Sequence, residues 1–426
     1  MSARLDYAQS LRWLYDLVPR GMRLGLERMR RALELRGNPD HAYRVVQVAG
    51  TNGKGSTSAM IERTLRSQGL TTGLYTSPHL HSFTERIRVD GKPLSRSEVV
   101  RRVHEQRAFL QEASTPWLTF FEVSLIMACE TFRDAGVDVA ILEVGLGGRL
   151  DATTAAHSDL AVITEVGLDH THRLGSTVRA IAREKAGIIR PQTPVVISAG
   201  IPEAREVIGR RARRVASPRY YRGRDFGWTQ EPRGTSLRVG KSVFDQVDLG
   251  LKGEHQRANA AAAAMAARLI CPEVDEAALR KGLLDVTWPG RLERIEGSPS
   301  YLLDAAHNPD GCVRLARYLA ESPAAGPRVL LFGAMEDKDH LAMLSALDDE
   351  VDAKVYYAPP MDRACSPERL AQIKQGKCAG SLEDAVKEAK ALAGSEGEII
   401  VAGSIFVLSE VRALVLGLET DPPLGL

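Results

Sequence analysis

Residues 45–60 read V-V-Q-V-A-G-T-N-G-K-G-S-T-S-A-M: an apolar run, glycines around a lysine, then hydroxyls opening an amphipathic stretch. A buried strand that delivers a glycine loop to a helix N-terminus is the arrangement that cradles phosphate. Gly50, Gly53 and Gly55 let backbone N–H groups approach phosphate oxygens, Lys54 adds a point charge, and Ser56 and Thr57 add hydroxyls. Thr51 and Asn52 complete the candidate loop. The spacing departs from G-x-x-x-x-G-K-[ST], because Val48 occupies the first glycine position and Gly55 separates Lys54 from Ser56. A tight glycine turn would account for Gly50 and Gly53, but it gives no reason for Lys54 and two hydroxyls.

Outward from the loop, apolar β-rich runs recur at residues 137–142, 160–164 and 195–198 with helical patterns between them. Such alternation predicts a mainly parallel sheet. Two amphipathic helical stretches precede it at residues 7–17 and 22–35, the second closed by Gly37-Asn38-Pro39. Residues 220–250 switch to short alternating stretches with glycine turns, which predicts small antiparallel strands, and an alanine-rich helix resumes at Glu254. The breakers in Thr287-Trp288-Pro289-Gly290 mark a domain boundary. A second α/β series follows at residues 301–303, 328–332, 354–357 and 398–401, and the tail from Thr420 is expected to fray. The expected class is α/β: an N-terminal P-loop ATPase-like domain with a mainly parallel sheet (residues 1–292) and a smaller doubly wound C-terminal domain (residues 296–426).

The 426 residues suit two or three domains, and 44% hydrophobic with 26% charged residues is ordinary for a folded soluble chain. Fifty-six Lys and Arg against fifty-four Asp and Glu nearly cancel, so no global field draws the chain to nucleic acid or anionic lipid. The five cysteines are scattered without a C-x-x-C pair, which reads as free thiols in a reducing cytosol. Charge interrupts the N-terminus before an apolar run of signal-peptide length develops, and no stretch approaches a membrane span. A cytoplasmic location is the expectation.

Ligands of a parallel sheet sit beyond the carboxyl ends of its strands, and here those ends are polar. Glu143 ends A-I-L-E in A-I-L-E-V-G-L-G-G-R-L-D, and Asp169 and His170 follow the next strand in V-G-L-D-H-T. Carboxylate plus imidazole can bind Mg²⁺ or orient its waters. A cap or ion-pair carboxylate and a hydrogen-bonded structural histidine are the plainer readings of each alone. The glycines at 145, 147 and 148 do not form G-x-G-x-x-G, which excludes the usual dinucleotide fingerprint. Lys185 falls within a helix starting near Thr177, where a solvated lysine is the plain account. His255, Gln256 and Asn259 open the alanine-rich helix, where they either reach a base or ribose or simply cap and pack. In the second domain Asp304 and His307 are expected exposed at the end of a strand in L-L-D-A-A-H-N-P-D-G, with Arg291 at the hinge. Two polar clusters on two domains predict a substrate cleft between them.

These motifs, with L-G-L-E-R at residues 24–28, Y-T-S-P-H-L and F-T-E-R-I within residues 75–87, E-K-A-G-I-I, H-Q-R-A-N-A, P-G-R-L-E, D-K-D at 337–339 and V-A-G-S ending at Ser404, resemble the folylpolyglutamate synthase and dihydrofolate synthase family of the Mur ligase-like superfamily, in particular its bacterial bifunctional members. The resemblance implies an ATP-dependent ligase that adds L-glutamate to a pterin- or folate-linked carboxylate through an acyl phosphate. It further implies ATP at residues 50–57, Mg²⁺ held by Ser77, Glu143 and His170, and a carbamate on Lys185. Asn259, Arg291 and Asp304 would serve the nucleotide, His307 and Asp304 would be candidate bases, and Phe121 and Glu122 would face the pterin. A monomer is expected. Either synthase activity alone, or a P-loop ATPase switch, are the alternative functions. Ala305 stands where the family carries glycine, and a positive φ there would strain the turn.

Overall fold

The computed structural model describes residues 5–18, 25–232 and 234–422. The expected start of the second helix at residue 22, Leu24 of the L-G-L-E-R motif and the last residues of the tail lie outside these. The chain divides into two compact units. One comprises the described residues up to Gly250 together with Gln256–Val286 and Pro422, and the other comprises Leu251–His255 and Thr287–Asp421.

Eight strands make the sheet of the first unit: β1 (Arg44–Ala49), β2 (Thr72–Tyr75), β3 (Ile87–Val89), β4 (Lys92–Pro93), β5 (Val139–Glu143), β6 (Leu160–Ile163), β7 (Val195–Ile197) and β8 (Arg219–Tyr221). Their order is β4-β3-β2-β5-β1-β6-β7-β8. All neighbours pair parallel except β2–β3 and β3–β4. Val45, Val46, Val48, Ile141, Leu142, Val162 and Ile163 are all fully buried. Their near-continuous apolar runs are what a parallel sheet covered on both faces requires. Because β1 lies between β5 and β6, the loops leaving these three strands emerge side by side.

The antiparallel edge is the part of the sheet that the apolar runs do not announce. Gly73 interrupts β2, and a Cβ there would press into the Phe132 ring. The two-residue turn between β3 and β4 is Asp90-Gly91, with φ of 49° and 75°. Asp-Gly with both residues left-handed is the hairpin signal that fits the twist of paired strands. The expected antiparallel segment is present as β9 (Phe226–Glu231), β10 (Gly234–Val239) and β11 (Ser242–Val247), paired as a separate sheet.

The second unit holds β12 (Glu293–Ile295), β13 (Ser300–Leu303), β14 (Arg328–Phe332), β15 (Ala353–Tyr356), β16 (Lys377–Cys378) and β17 (Glu398–Ala402), in the order β12-β13-β17-β14-β15-β16. Only the β12–β13 pair is antiparallel. Its core is built on Leu302, Leu330, Phe332, Met343, Tyr356 and Ile400. The break falls between Val286 and Thr287, so Arg291, counted with the first domain on sequence grounds, belongs with the second unit. All five cysteines are free; Cys129, Cys271, Cys312 and Cys365 are buried and Cys378 is exposed. Among the described residues no helix is long and apolar enough to cross a membrane.

Candidate active site

The loop after β1 runs into the helix Lys54–Ser67, whose N-cap is Gly53 at φ 85°. The left-handed backbone there favours glycine. A Cβ on Gly53 would also meet the Asn259 side-chain oxygen at 2.5 Å. Asn259 Nδ2 donates to Gln256 Oε1 at 2.9 Å, and Gln256 Nε2 donates to Ser56 Oγ at 3.4 Å. Of the three residues expected to open the alanine-rich helix, Gln256 and Asn259 therefore lie against the loop, whereas His255 groups with the second unit. Lys54 Nζ donates to the carbonyls of Gly50 and Thr51 at 3.1 and 3.2 Å. The Thr57 hydroxyl is buried without a hydrogen-bond partner, an orphaned polar atom in the first turn of this helix.

Lys185 is not the solvated lysine of the plain reading. It ends the helix Val178–Lys185, capped by Thr177, and is 4% exposed. Its Nζ donates to the Gly50 carbonyl at 2.7 Å. Burial, reinforced by the neighbouring charge of Lys54, brings its amine down to about 7, against the opposing pull of Asp169 and Asp151. The glycine run explains how the helix comes so close. A Cβ on Gly148 would sit 2.7 Å from the Glu184 carbonyl oxygen and 3.1 Å from the Lys185 Cα. Arg149 N donates to that same Glu184 carbonyl at 2.8 Å.

Glu143, at the end of β5, is 5% exposed, and its Oε2 accepts from Ser77 N at 3.2 Å. The structure thus brings Ser77 and Glu143 together. His170 stands on the loop after β6 at φ 48°, a conformation uncommon for a non-glycine residue, with its backbone N–H donating to Asp169 Oδ1 at 2.8 Å. Among the described residues no three His, Cys, Asp or Glu side chains form a metal-holding group, and the expected set has only two such residues.

Phe121 packs on Tyr75, ring centroids 5.7 Å apart, and closes over Gly145. Glu122 has a structural occupation: its Oε2 accepts from the backbone and hydroxyl of Thr119 in a capping box, and its Oε1 pairs with Arg28 at 3.1 Å. Asp151 carried no role in the sequence reading. It is buried, accepts from Gly145 N and Leu146 N at 3.1 and 2.9 Å, and is pushed upward in pKa by desolvation. Its signal was an aspartate two residues before a threonine, the side-chain-to-backbone turn it makes with Thr153 N at 3.0 Å.

In the second unit Asp304 is buried rather than exposed, at 8%. Its oxygens accept from Leu292 N and Ala306 N at 2.9 and 3.0 Å. Desolvation raises its pKa, and Arg291 is the main influence lowering it. His307 Nδ1 donates to the Ala305 carbonyl at 2.8 Å, which leaves Nε2 as the basic ring nitrogen. Ala305 is absent from the positive-φ residues, so alanine imposes no backbone strain there. Asn308 caps the helix Pro309–Ala320 through Gly311 N.

The Mur ligase middle domain matches residues 48–267 and the Mur ligase glutamate ligase domain residues 290–405. The chain is 36% identical, over 96% of its length, to a probable bifunctional folylpolyglutamate synthase/dihydropteroate synthase of Haloferax volcanii, of which it spans about half (50%). It is 33% identical to the dihydrofolate synthase/folylpolyglutamate synthase of Bacillus subtilis, covering 95% of this chain and 98% of that one. Among solved structures, Escherichia coli FolC in complex with DHPP and ADP superimposes with a TM-score of 0.89 at 33% identity, covering 97% of this chain and 98% of that one. A bifunctional folylpolyglutamate synthase/dihydrofolate synthase with Mn, AMPPNP and L-glutamate bound gives 0.88 at 32%, covering 98% and 100%.

Proposed function

The chain belongs to the folylpolyglutamate synthase and dihydrofolate synthase family of Mur-type ligases, and on that premise we propose that it joins L-glutamate to a folate-type carboxylate at the expense of ATP. The acceptor carboxylate attacks the γ-phosphorus, the bond to ADP breaks, and an acyl phosphate forms. The glutamate nitrogen then attacks the acyl carbon, the carbon–oxygen bond to phosphate breaks, and an amide remains. Both steps are served by positioning and charge stabilisation, with no protein nucleophile.

The observation that carries this reading is Lys185, a buried second lysine bonded to the Gly50 carbonyl of the phosphate loop. Lys54 holds its protons on the Gly50 and Thr51 carbonyls, and phosphate oxygens compete for them. Ser77, Glu143 and His170 would hold a divalent cation, two oxygen donors and one imidazole that leave positions for phosphate oxygens and water. The Thr57 hydroxyl, buried in the first turn of the helix without a hydrogen-bond partner, is an unused polar group close to this loop. When bound, such a cation neutralises charge on the transferring phosphoryl group. A neutral Lys185 amine can add to CO₂, forming the nitrogen–carbon bond and losing a proton, and the resulting carbamate puts an anion beside the phosphate loop. His307 Nε2 is the base assigned to the glutamate ammonium, and Arg291, Asn259 and Asp304 are assigned to the nucleotide. Phe121 offers the pterin an aromatic face. The reading places the enzyme in the cytoplasm as a monomer.

The test is ADP release by purified enzyme with glutamate and either dihydropteroate or tetrahydrofolate. Release that requires both glutamate and an acceptor is expected. Failure with both acceptors sinks the folate reading, and release without an acceptor favours an ATPase switch.

A further inference from the structure

Thr164, Glu165 and Gly167, which follow β6, hold the phosphate loop by its backbone. Thr164 Oγ donates to the Asn52 carbonyl at 2.8 Å, and Thr51 N donates to the Glu165 carbonyl at 2.7 Å. The Thr51 hydroxyl donates to the Gly167 carbonyl and accepts from Gly167 N, both at 3.1 Å. A Cβ on Gly50 would collide with the Thr164 side chain. The loop's shape is therefore set by this segment as much as by its own glycines.

The Glu165 side chain takes no part in the chemistry above, yet it is only 16% exposed. Its Oε1 accepts from Gly200 N, just beyond β7, at 2.6 Å. Its Oε2 pairs at 3.2 Å with Arg222, the residue after β8, whose side chain is 23% exposed. A Cβ on Gly200 would approach both carboxylate oxygens to 3.2 Å and collide with the Arg222 guanidinium. One carboxylate thus ties together the ends of three adjacent strands. The same residue's backbone carbonyl holds the phosphate loop.

We infer that the Glu165–Arg222 pair is a positioning device for the nucleotide, with two physical effects. It fixes the backbone segment that shapes the loop, and it cancels a carboxylate that would otherwise repel a polyphosphate from close range. Removing the arginine takes away the cation that faces this partly buried anion, whereas removing both charges together creates no such imbalance. The inference rests on the phosphate loop being the ATP site.

The test is a double-mutant cycle of Arg222→Gln, Glu165→Gln and both together, with KM for ATP and kcat from glutamate-dependent ADP release, ADP affinity by calorimetry, and thermal melting. Arg222→Gln is expected to raise KM for ATP and Kd for ADP roughly tenfold, with kcat at saturating ATP within about twofold. Adding Glu165→Gln is expected to return KM to within about threefold of the parent, a rescue that a merely structural pair would not show. An unchanged KM in Arg222→Gln, or a double variant no better than Arg222→Gln, overturns the inference. So does a fall in kcat at constant KM. If Arg222→Gln fails to fold, Glu165→Gln and the double variant decide it: KM for ATP and Kd for ADP within about threefold of each other in the two are expected, and a double variant roughly tenfold worse than Glu165→Gln, in which the arginine acts without the carboxylate, overturns the inference. Failure of the parent enzyme to bind ADP would instead sink the ATP reading itself.

Discussion

Burial brings the Lys185 amine down to about 7, so charged and neutral forms coexist near neutral pH. Only the neutral form reacts with CO₂. Activation of ADP release by bicarbonate should therefore fall as pH drops below about 7, and a profile flat from pH 6 to 8 would argue against the carbamate. The same depression has a stability consequence whose sign can be worked out. The unfolded amine binds its proton up to about 10.4, so the cost of burying an ammonium is complete below pH 7 and fades as pH rises towards 10. In CO₂-free buffer Lys185→Met should be more stable than the parent at pH 6 by a few kcal/mol, on the order of the shift, and the gap should close by pH 10 in denaturant titrations. At Lys54 the expectation is simpler. Lys54→Ala should retain the parent's melting temperature and lose on the order of a hundredfold or more in ADP release. Conformation was legible where it is local, as in the glycine turn at Gly53. Asp304 was read as exposed, and for Lys185 the residues alone offered a solvated lysine as the plain account, because burial is decided by residues remote in sequence, such as Gly148 for the lysine helix.

At the scale of elements, β1, β5, β6, β7, β13, β14, β15 and β17 could be read from their apolar runs, and the start of the lysine helix from Thr177. The β2–β4 edge was missed because Gly73 and a two-residue strand carry little apolar signal, although Asp90-Gly91 marked the hairpin. The glycines at 147 and 148 were legible as unfit for a dinucleotide, but their purpose is packing. Gly148→Ala should drive the Lys185 helix off the loop by overpacking, costing about 1–3 kcal/mol. Urea titration together with ADP release checks it: a variant that is as stable and as active as the parent would show that the helix tolerates the shift.

The whole molecule has two units, each with its own hydrophobic core, and the run of the first unit ends at Val286, whereas the breakers at residues 287–290 suggested an end just after them. What could not be read was that Leu251–His255 leaves the first unit and that Gln256–Val286 returns to it. A path that crosses twice leaves no mark in composition. Gly282 approaches Thr64 so closely that any side chain would collide with the helix backbone. A chain ending at Gly250 should therefore lose cooperative melting, and one ending at Val286 should keep it, by circular dichroism. The cysteines offer a different use of the fold. Four are buried with thiols held protonated by desolvation, and Cys378 alone lies open on the short β16. A colorimetric thiol reagent should count one reactive group per native chain and five in urea. A fluorophore or spin label can then be attached at one defined position without mutagenesis, and the appearance of the other four thiols times the opening of the cores that enclose them.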